Sequence, residues 1–223
     1  MNSPKSHSLI AAATTYMTQV MIGHDPSHNP EHVRRVVSLA HRILDGERLR
    51  GNNVASQSLE TVITLAAILH DINDHKYKKK NNTIIDAYEF LTSHGADHDL
   101  AAAVQTVVSN VSYSHEIRNP DQVQALLLRD EGIALAIVQD ADRLDAIGAI
   151  GIGRTFTFLG ARGDHSGDGL ESCVYHFGDK LERLQGFMKT ETGREMARER
   201  THRLRLFKKW WMDETDQASS FSL

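Results

Sequence analysis

The chain has 223 residues, of which 40% are hydrophobic and 24% charged, values typical of a globular protein with one sizeable core. A formal net charge of −4 excludes a broad basic surface for duplex nucleic acid, although a few local Lys and Arg can still bind a small phosphorylated ligand. The single cysteine, Cys173, excludes an intramolecular disulfide. No apolar run approaches the ~18 residues needed to span a bilayer, so we expect a cytoplasmic protein without a membrane partner.

Hydrophobic periodicity predicts an all-α chain. Apolar residues recur at helical spacing in seven segments, 6–21, 30–47, 58–70, 83–94, 98–110, 121–129 and 131–147. We then expect a bent or broken helix over 148–159, a glycine-rich loop and candidate lid over 160–169, and closing helices over 170–189 and 192–211. No segment indicates a strand. The sequence therefore predicts one domain, 1–223, with a core at about 22–150, C-terminal helices within 170–212 and a frayed tail over 213–223.

One predicted helix ends abruptly in two side chains that can bind a metal, His70 and Asp71. Because buried ionisable groups need a partner or a metal, we expect further ligands elsewhere in the chain. His32 lies at the buried edge of the apolar stripe of the second helix. Asp142 lies on the face of the central helix that points at other protein, whereas Asp140 points elsewhere.

Two imidazoles and two carboxylates, without thiolates, suit a borderline-to-hard divalent ion rather than a structural zinc site. Four protein ligands leave open positions on an octahedral metal, where water and a phosphate oxygen can bind. A single buried His near a helix end is more often an ordinary core residue. The prediction of a metal site therefore rests on the joint pattern.

This arrangement of His, His-Asp and Asp on helices resembles the HD superfamily of metal-dependent phosphohydrolases. Residues 25–36, 70–77 and 138–152 resemble one branch of it, the small single-domain HD hydrolases, some of which are nucleoside triphosphate pyrophosphohydrolases. Residues 176–181 and 188–193 match the C-terminal helices of the same branch. The resemblance implies an HD-domain helical bundle with extra C-terminal helices.

The resemblance also implies a set of metal ligands: His32, His70, Asp71 and Asp142. Among the divalent ions, Mn²⁺ is favoured, with Mg²⁺, Fe²⁺, Co²⁺, Ni²⁺ and Zn²⁺ as alternatives. Asp142 is preferred to Asp140 because the last ligand of the family is the Asp of an Ala-Asp-x-Leu turn. The helical-face interpretation leads independently to the same residue.

Catalytic and substrate-binding residues are expected beside these ligands. Asp74 stands where related nucleotide hydrolases carry an acidic residue, and we expect it, with His28, to accept a proton from the attacking water. The family pair is often Glu followed by Asp, so the identity of the base stays open. Lys76 is expected to bind a phosphate, and Arg35 a phosphate or a carboxylate. Asp145 is either a hydrogen-bond acceptor for a ligand His or a salt-bridge partner.

The expected activity is cleavage of a nucleoside triphosphate to monophosphate and pyrophosphate. Three alternatives remain: a 5′-nucleotidase-type phosphatase, a di-iron HD oxygenase and a catalytically inactive HD binding module. An oxygenase needs extra His and carboxylate ligands between the second and fourth metal ligands, and His94, His98 and His115 lie in that window. The Trp210-Trp211 pair indicates either core packing or a self-association surface, which leaves monomer and homodimer open.

Overall fold

The computed structural model describes residues 4–52, 54, 56–72, 85–129, 132–162 and 169–219, and these residues form helices and their connections. The first five helices are α1 (Pro4–Met21), α2 (Pro30–Leu49), α3 (Gln57–Leu69), α4 (Ala87–Ser93) and α5 (His98–Asn110). The next five are α6 (Tyr113–Arg118), α7 (Pro120–Leu127), α8 (Gly132–Asp145), α9 (Gly148–Arg162) and α10 (Glu171–His176). A π-helical turn (Phe177–Leu181) and a 3-10 segment (Glu182–Phe187) lead to the last helix, α11 (Glu191–Ser219). The all-α prediction is confirmed.

Helix α8 lies at the centre of the bundle and packs against α2, α3, α5, α7, α9 and α11. All of residues 134–141 are buried, as are all of residues 61–69 in α3. A helix that is apolar on every side must be surrounded by protein, which explains why these two segments form the interior. Helix α2 shows the usual amphipathic stripe and lays its buried face on both of them. The three helices that carry the expected metal ligands are therefore neighbours in space.

The start of α2 is fixed by Asn29, as the sequence predicts. Its side-chain Oδ1 accepts hydrogen bonds from the backbone N–H groups of Glu31 (3.1 Å) and His32 (3.3 Å), and Pro30 occupies the first helical position. Replacing Asn29 by Ala removes both bonds, and we expect the free energy of unfolding to fall by about 1 kcal/mol. Urea unfolding followed by circular dichroism measures this loss. Asn29→Asp, which keeps the acceptor oxygen, is the matched control and should retain most of the stability.

A buried ion cluster joins α6, α8 and the segment before α11. Arg143 is fully buried, and its guanidinium donates to Glu116 Oε2 (2.5 Å) and to the carbonyl of Phe187 (2.8 Å). Lys189 Nζ donates to Glu116 Oε1 (2.6 Å). Burial raises the pKa of Glu116, but the Lys189 hydrogen bond and the nearby Arg143 outweigh it and lower that pKa below its usual range. The cluster holds its carboxylate ionised in the interior.

Two buried carboxylates cap α11 from other helices. Asp140 accepts hydrogen bonds from the backbone N–H groups of Lys189 and Thr190, both at 2.8 Å, and Glu47 accepts one from the N–H of Thr192 (2.8 Å). At Gly193, a Cβ atom would lie 2.3 Å from Asp140 Oδ2, so the close approach needs glycine. Asp140 thus points away from Asp142, as predicted, and it connects α8 to the C-terminal helix.

Gly148 (φ 75°) separates α8 from α9, in agreement with the break expected there. The structure differs from the sequence prediction in three places. Residues 113–118 form a short helix where a separator was expected. The expected helix over 170–189 changes its winding after His176, in a stretch weakened by two glycines of poor helix propensity. The tail expected to fray from 213 continues as helix to Ser219, because it contains no Gly or Pro. Most of the candidate lid, residues 163–168, lies outside the described residues.

Of the tryptophan pair, Trp211 packs in the core, whereas self-association through Trp210 stays a prediction. Trp211 packs on Phe156 and Phe207, with ring centroids 5.8 Å and 6.2 Å away, whereas Trp210 is 58% exposed. Among the helices that the structure describes, none is long and apolar enough to cross a membrane.

Candidate metal centre

Three helices bring the four expected metal ligands to one point. His32 lies in the first turn of α2 and is completely buried, and His70 and Asp71 directly follow the last residue of α3. Asp142 lies in the last turn of α8 and is partly exposed, so the site opens to solvent on that side. The side chains converge because the buried faces of α2, α3 and α8 pack together.

Four donor atoms of these residues face one another. The two imidazole Nε2 atoms of His32 and His70 are 3.3 Å apart. The Oδ2 atom of Asp71 lies 3.3 Å and 3.4 Å from these nitrogens, and the Oδ1 atom of Asp142 lies 3.6 Å and 3.8 Å from them. Ligand bonds of about 2.0–2.2 Å place neighbouring donors roughly 3 Å apart, so the group fits a divalent ion. One ligand atom from each of His32, His70 and Asp142 lies within 4.8 Å of the ligand atoms of the other two.

The outer nitrogen of each imidazole is fixed by an acceptor. His70 Nδ1 donates to the carbonyl of Ala67 (2.9 Å), and His32 Nδ1 donates to Asp145 Oδ2 (2.8 Å). A proton on each Nδ1 leaves both Nε2 lone pairs directed at the same point. Two lone pairs and two carboxylates facing each other need a cation between them, and this donor set suits a divalent metal.

Asp145 is fully buried, yet two guanidinium groups and the imidazole of His32 donate hydrogen bonds to it. Arg35 donates through Nε to Oδ1 (2.7 Å) and through Nη2 to Oδ2 (3.0 Å), and Arg154 Nη1 also donates to Oδ2 (3.0 Å). Burial alone would raise the pKa of Asp145, but the hydrogen bonds from His32 and Arg35 hold it well below its usual range. The two roles that the sequence left open for Asp145 are therefore both filled.

The electrostatics of the ligands favour a bound cation. Burial raises the pKa of Asp71, but the neighbouring His70 and His32 lower it well below its ordinary value. Burial lowers the pKa of His32, but hydrogen bonds to Asp145 and Asp71 more than reverse this effect. The Asp71 carboxylate is thus ionised over the physiological range and is available as a ligand.

Arg35 fulfils the carboxylate alternative of its expected role, because its guanidinium binds Asp145 with two hydrogen bonds. Contact with a phosphate stays a prediction. Asp74 and Lys76, the expected proton acceptor and phosphate-binding residue, lie outside the described residues.

His28 lies beside the metal ligands, in the loop that precedes α2. The centroid of its ring is 5.9 Å from the ring centroid of His32, in an edge-to-face arrangement. It is 5.7 Å from the ring centroid of Phe158 in α9. Its Nδ1 atom is 2.7 Å from the hydroxyl of Ser27. This position brings an imidazole within reach of a substrate at the centre, although its catalytic role stays a prediction.

The three histidines considered for a second iron are bonded elsewhere. His94 Nδ1 donates to the carbonyl of Phe90 (2.8 Å), and the ring of His98 bonds the hydroxyl of Tyr88. His115 Nδ1 is 3.4 Å from the side-chain nitrogen of Asn119. Within the described residues, none of the three belongs to the metal-competent group, which disfavours the oxygenase alternative.

Arg154 is the residue of the site that the sequence analysis missed. It donates to Asp145 and, through Nε, to the backbone carbonyl of Ser27 (2.8 Å). A signal was present, since Arg154 is the one charged residue between positions 146 and 161. A lone charge in an apolar segment needs a buried partner, but the sequence does not say which.

Comparisons with known proteins agree with this geometry. A family model described as HD domain matches residues 30–147. The uncharacterized protein YpgQ of Bacillus subtilis (strain 168) is 35% identical over 188 residues, which is 83% of each chain. A crystal structure of B. subtilis YpgQ in complex with ADP has a TM-score of 0.68 at 28% identity, covering 94% of this chain and 96% of that one. The fold is also similar to that of an HD-superfamily hydrolase from Bacillus thuringiensis, with a TM-score of 0.65 at 24% identity. The match covers 95% of this chain and 98% of that one.

The matched stretch is more than half of the chain and contains the grouped residues His32, His70 and Asp142 together with Asp71. Proteins of the HD superfamily are generally metal-dependent hydrolases, and the donor set described above suits a divalent metal. On these grounds, the chain belongs to the HD domain family.

Proposed function

We propose that this chain is a metal-dependent phosphohydrolase that converts a nucleoside triphosphate to its monophosphate and pyrophosphate. The observation that carries the proposal is the convergence of the donor atoms of His32, His70, Asp71 and Asp142. A nucleotide is supported as substrate by the relative that was crystallised with ADP. Mn²⁺ as the native metal and a cytoplasmic location belong to the same proposal.

A bound divalent ion supplies charge to offset a phosphate and lowers the pKa of a coordinated water. The residues of the chain perform the remaining tasks. His28 stands beside the ligands and accepts a proton from the attacking water, together with Asp74. The water oxygen bonds to the α-phosphorus while the bond to the pyrophosphate oxygen breaks. Lys76 offsets charge on the phosphates, and Asp145 keeps His32 in the tautomer that binds metal.

A metal-removal experiment with a nucleotide panel tests this proposal. We expect a chelator to abolish hydrolysis and Mn²⁺ to restore it, because the donor atoms cannot activate water without a cation. Nucleoside triphosphates, diphosphates and 5′-monophosphates are assayed separately for pyrophosphate and orthophosphate. The proposal expects one pyrophosphate per monophosphate formed.

Two other outcomes would contradict the proposal. Orthophosphate from 5′-monophosphates alone would identify the phosphatase alternative. Bound metal without turnover of any compound of the panel would identify a binding module. Mg²⁺, Co²⁺, Ni²⁺ and Zn²⁺ are tested in parallel to compare the hydrolysis that each metal supports with that in Mn²⁺.

A further inference from the structure

We propose that Arg154 is a positioning residue that connects the metal ligand His32 to the expected proton acceptor His28. The inference rests on the proposed function for its kinetic consequence, whereas its structural consequence can be measured without turnover. Arg154 belongs to α9, a helix that contributes none of the expected metal ligands. It acts through two other residues and therefore does not itself touch the reacting atoms.

Its first contact reaches the metal centre. Arg154 Nη1 donates to Asp145 Oδ2 (3.0 Å), the same oxygen that accepts the Nδ1 proton of His32 (2.8 Å). The guanidinium and the imidazole thus share one carboxylate oxygen. Asp145 holds the ring of His32 in place, and Arg154 holds Asp145 in place.

Its second contact reaches the loop that carries His28. Arg154 Nε donates to the backbone carbonyl of Ser27 (2.8 Å), the residue directly before His28. Ser27 is buried, and its hydroxyl bonds both Asp25 Oδ1 and His28 Nδ1 (2.7 Å). Fixing the Ser27 carbonyl therefore fixes the backbone from which the His28 ring projects.

The hydrogen-bond chain determines which nitrogen of His28 carries a proton. The hydroxyl of Ser27 donates its one proton to Asp25 Oδ1, the acceptor that Asp25 offers as a carboxylate. The same hydroxyl must then accept from His28 Nδ1, which leaves the lone pair on Nε2. This is the tautomer that a proton acceptor needs. Arg154 contributes by holding Ser27 at the place where both bonds can form.

An arginine suits this position better than a lysine. Its planar guanidinium makes two hydrogen bonds in fixed directions, to a side chain of α8 and to the backbone of another segment. The side chain is only 12% exposed, so water cannot readily replace either bond. Arg35 offers a matched comparison because, among the residues that the structure describes, its guanidinium bonds Asp145 and not the loop of Ser27.

The test compares Arg154→Gln with Arg35→Gln in the full chain. For both variants, Mn²⁺ affinity is measured by calorimetry, because each variant removes a bond to Asp145. We expect both to bind Mn²⁺ roughly 10- to 100-fold more weakly. The ¹⁵N NMR signals of the imidazole nitrogens are then recorded on metal-free protein. We expect Arg154→Gln to move the His28 signals toward a mixture of tautomers and Arg35→Gln to leave them in place.

Kinetics at saturating Mn²⁺ provide the second readout. We expect kcat to fall at least about tenfold more in Arg154→Gln than in Arg35→Gln, and this excess to vanish when His28 is also replaced by Ala. Arg154→Lys, which keeps the charge and one bond, should recover metal affinity more than kcat. Circular dichroism confirms that the variants are folded.

Equal His28 signals in the two glutamine variants would overturn the inference. If wild-type protein turned over no nucleotide, the proposed function would fail, while the calorimetric and NMR measurements would still decide the role of Arg154. If Arg154→Gln does not fold, the NMR measurement is made on Arg154→Lys, for which unchanged His28 signals would likewise contradict the inference.

Discussion

Replacing Asp71 by alanine is expected to lower metal-dependent hydrolysis by more than roughly 100-fold. Residues that merely support a metal ligand contribute about 10- to 100-fold, and Asp71 is expected to bind the metal itself. Its Oδ2 atom lies 3.3 Å and 3.4 Å from the two imidazole nitrogens. Its removal also leaves His32 and His70 facing each other with less negative charge between them. The measurement is kcat/KM at saturating Mn²⁺, together with the metal content of purified protein.

Asp71→Asn serves as the isosteric variant, and it should lose activity because an amide oxygen is a weaker ligand than a carboxylate. Asp213→Ala, an exposed acidic residue of α11, is the matched control and should behave as wild type. Undiminished hydrolysis and full metal content in Asp71→Ala would show that the metal is held elsewhere.

The largest effect on stability is expected at Glu116. Its removal leaves the buried guanidinium of Arg143 and the ammonium of Lys189 without their shared carboxylate. Removing one partner of a buried ion pair typically lowers the free energy of unfolding by about 3–5 kcal/mol, because an uncompensated charge remains in the interior. We expect Glu116→Ala to lower the free energy of unfolding by that amount in urea. The exposed pair of Glu199 and Arg203 is the control, and Glu199→Ala should cost less than about 1 kcal/mol.

The same cluster predicts a dependence on pH with a definite sign. The pKa of Glu116 is lower in the folded chain than in the unfolded chain, so ionised Glu116 stabilises the fold above about pH 4.3, its unfolded value. This stabilisation disappears as the pH falls through the lowered pKa of the folded state. The gap in unfolding free energy between wild type and Glu116→Gln should therefore narrow below about pH 4. A gap that stays constant down to pH 2 would contradict the assignment.

The sequence predicts the fold well wherever a local pattern determines the structure. The cap at Asn29 and the apolar interior of α8 are visible in a few adjacent residues, and both are present in the structure. The winding of 177–187 is not predictable in this way, since it depends on how one segment packs against others. Helix α11 continues past residue 213 to Ser219, because polar composition alone does not end a helix in a segment without helix breakers.

The residues of the site likewise fall into those that a local sequence pattern predicts and those that it does not. His70 and Asp71 stand out because two ionisable residues end an apolar helix, and Asp142 follows from the helical face. The bonds of Asp145 to Arg35 and Arg154 are different, because they join residues more than 100 positions apart or on separate helices. No local pattern encodes such a pairing. The role of Asp74 and Lys76 stays a prediction.

The caps of α11 have a consequence for how the chain folds. The HD match ends at residue 147, yet Asp140 accepts its hydrogen bonds from Lys189 and Thr190, and Glu47 accepts one from Thr192 besides the one from Asn52. A chain truncated after the match would lose the donors to Asp140, and an unsatisfied buried carboxylate costs at least about 1–3 kcal/mol. Glu47 and Asp140 lie on α2 and α8, the helices that also carry His32 and Asp142. The smallest cooperative folding unit is therefore larger than the segment that the family shares, and it includes the C-terminal helix.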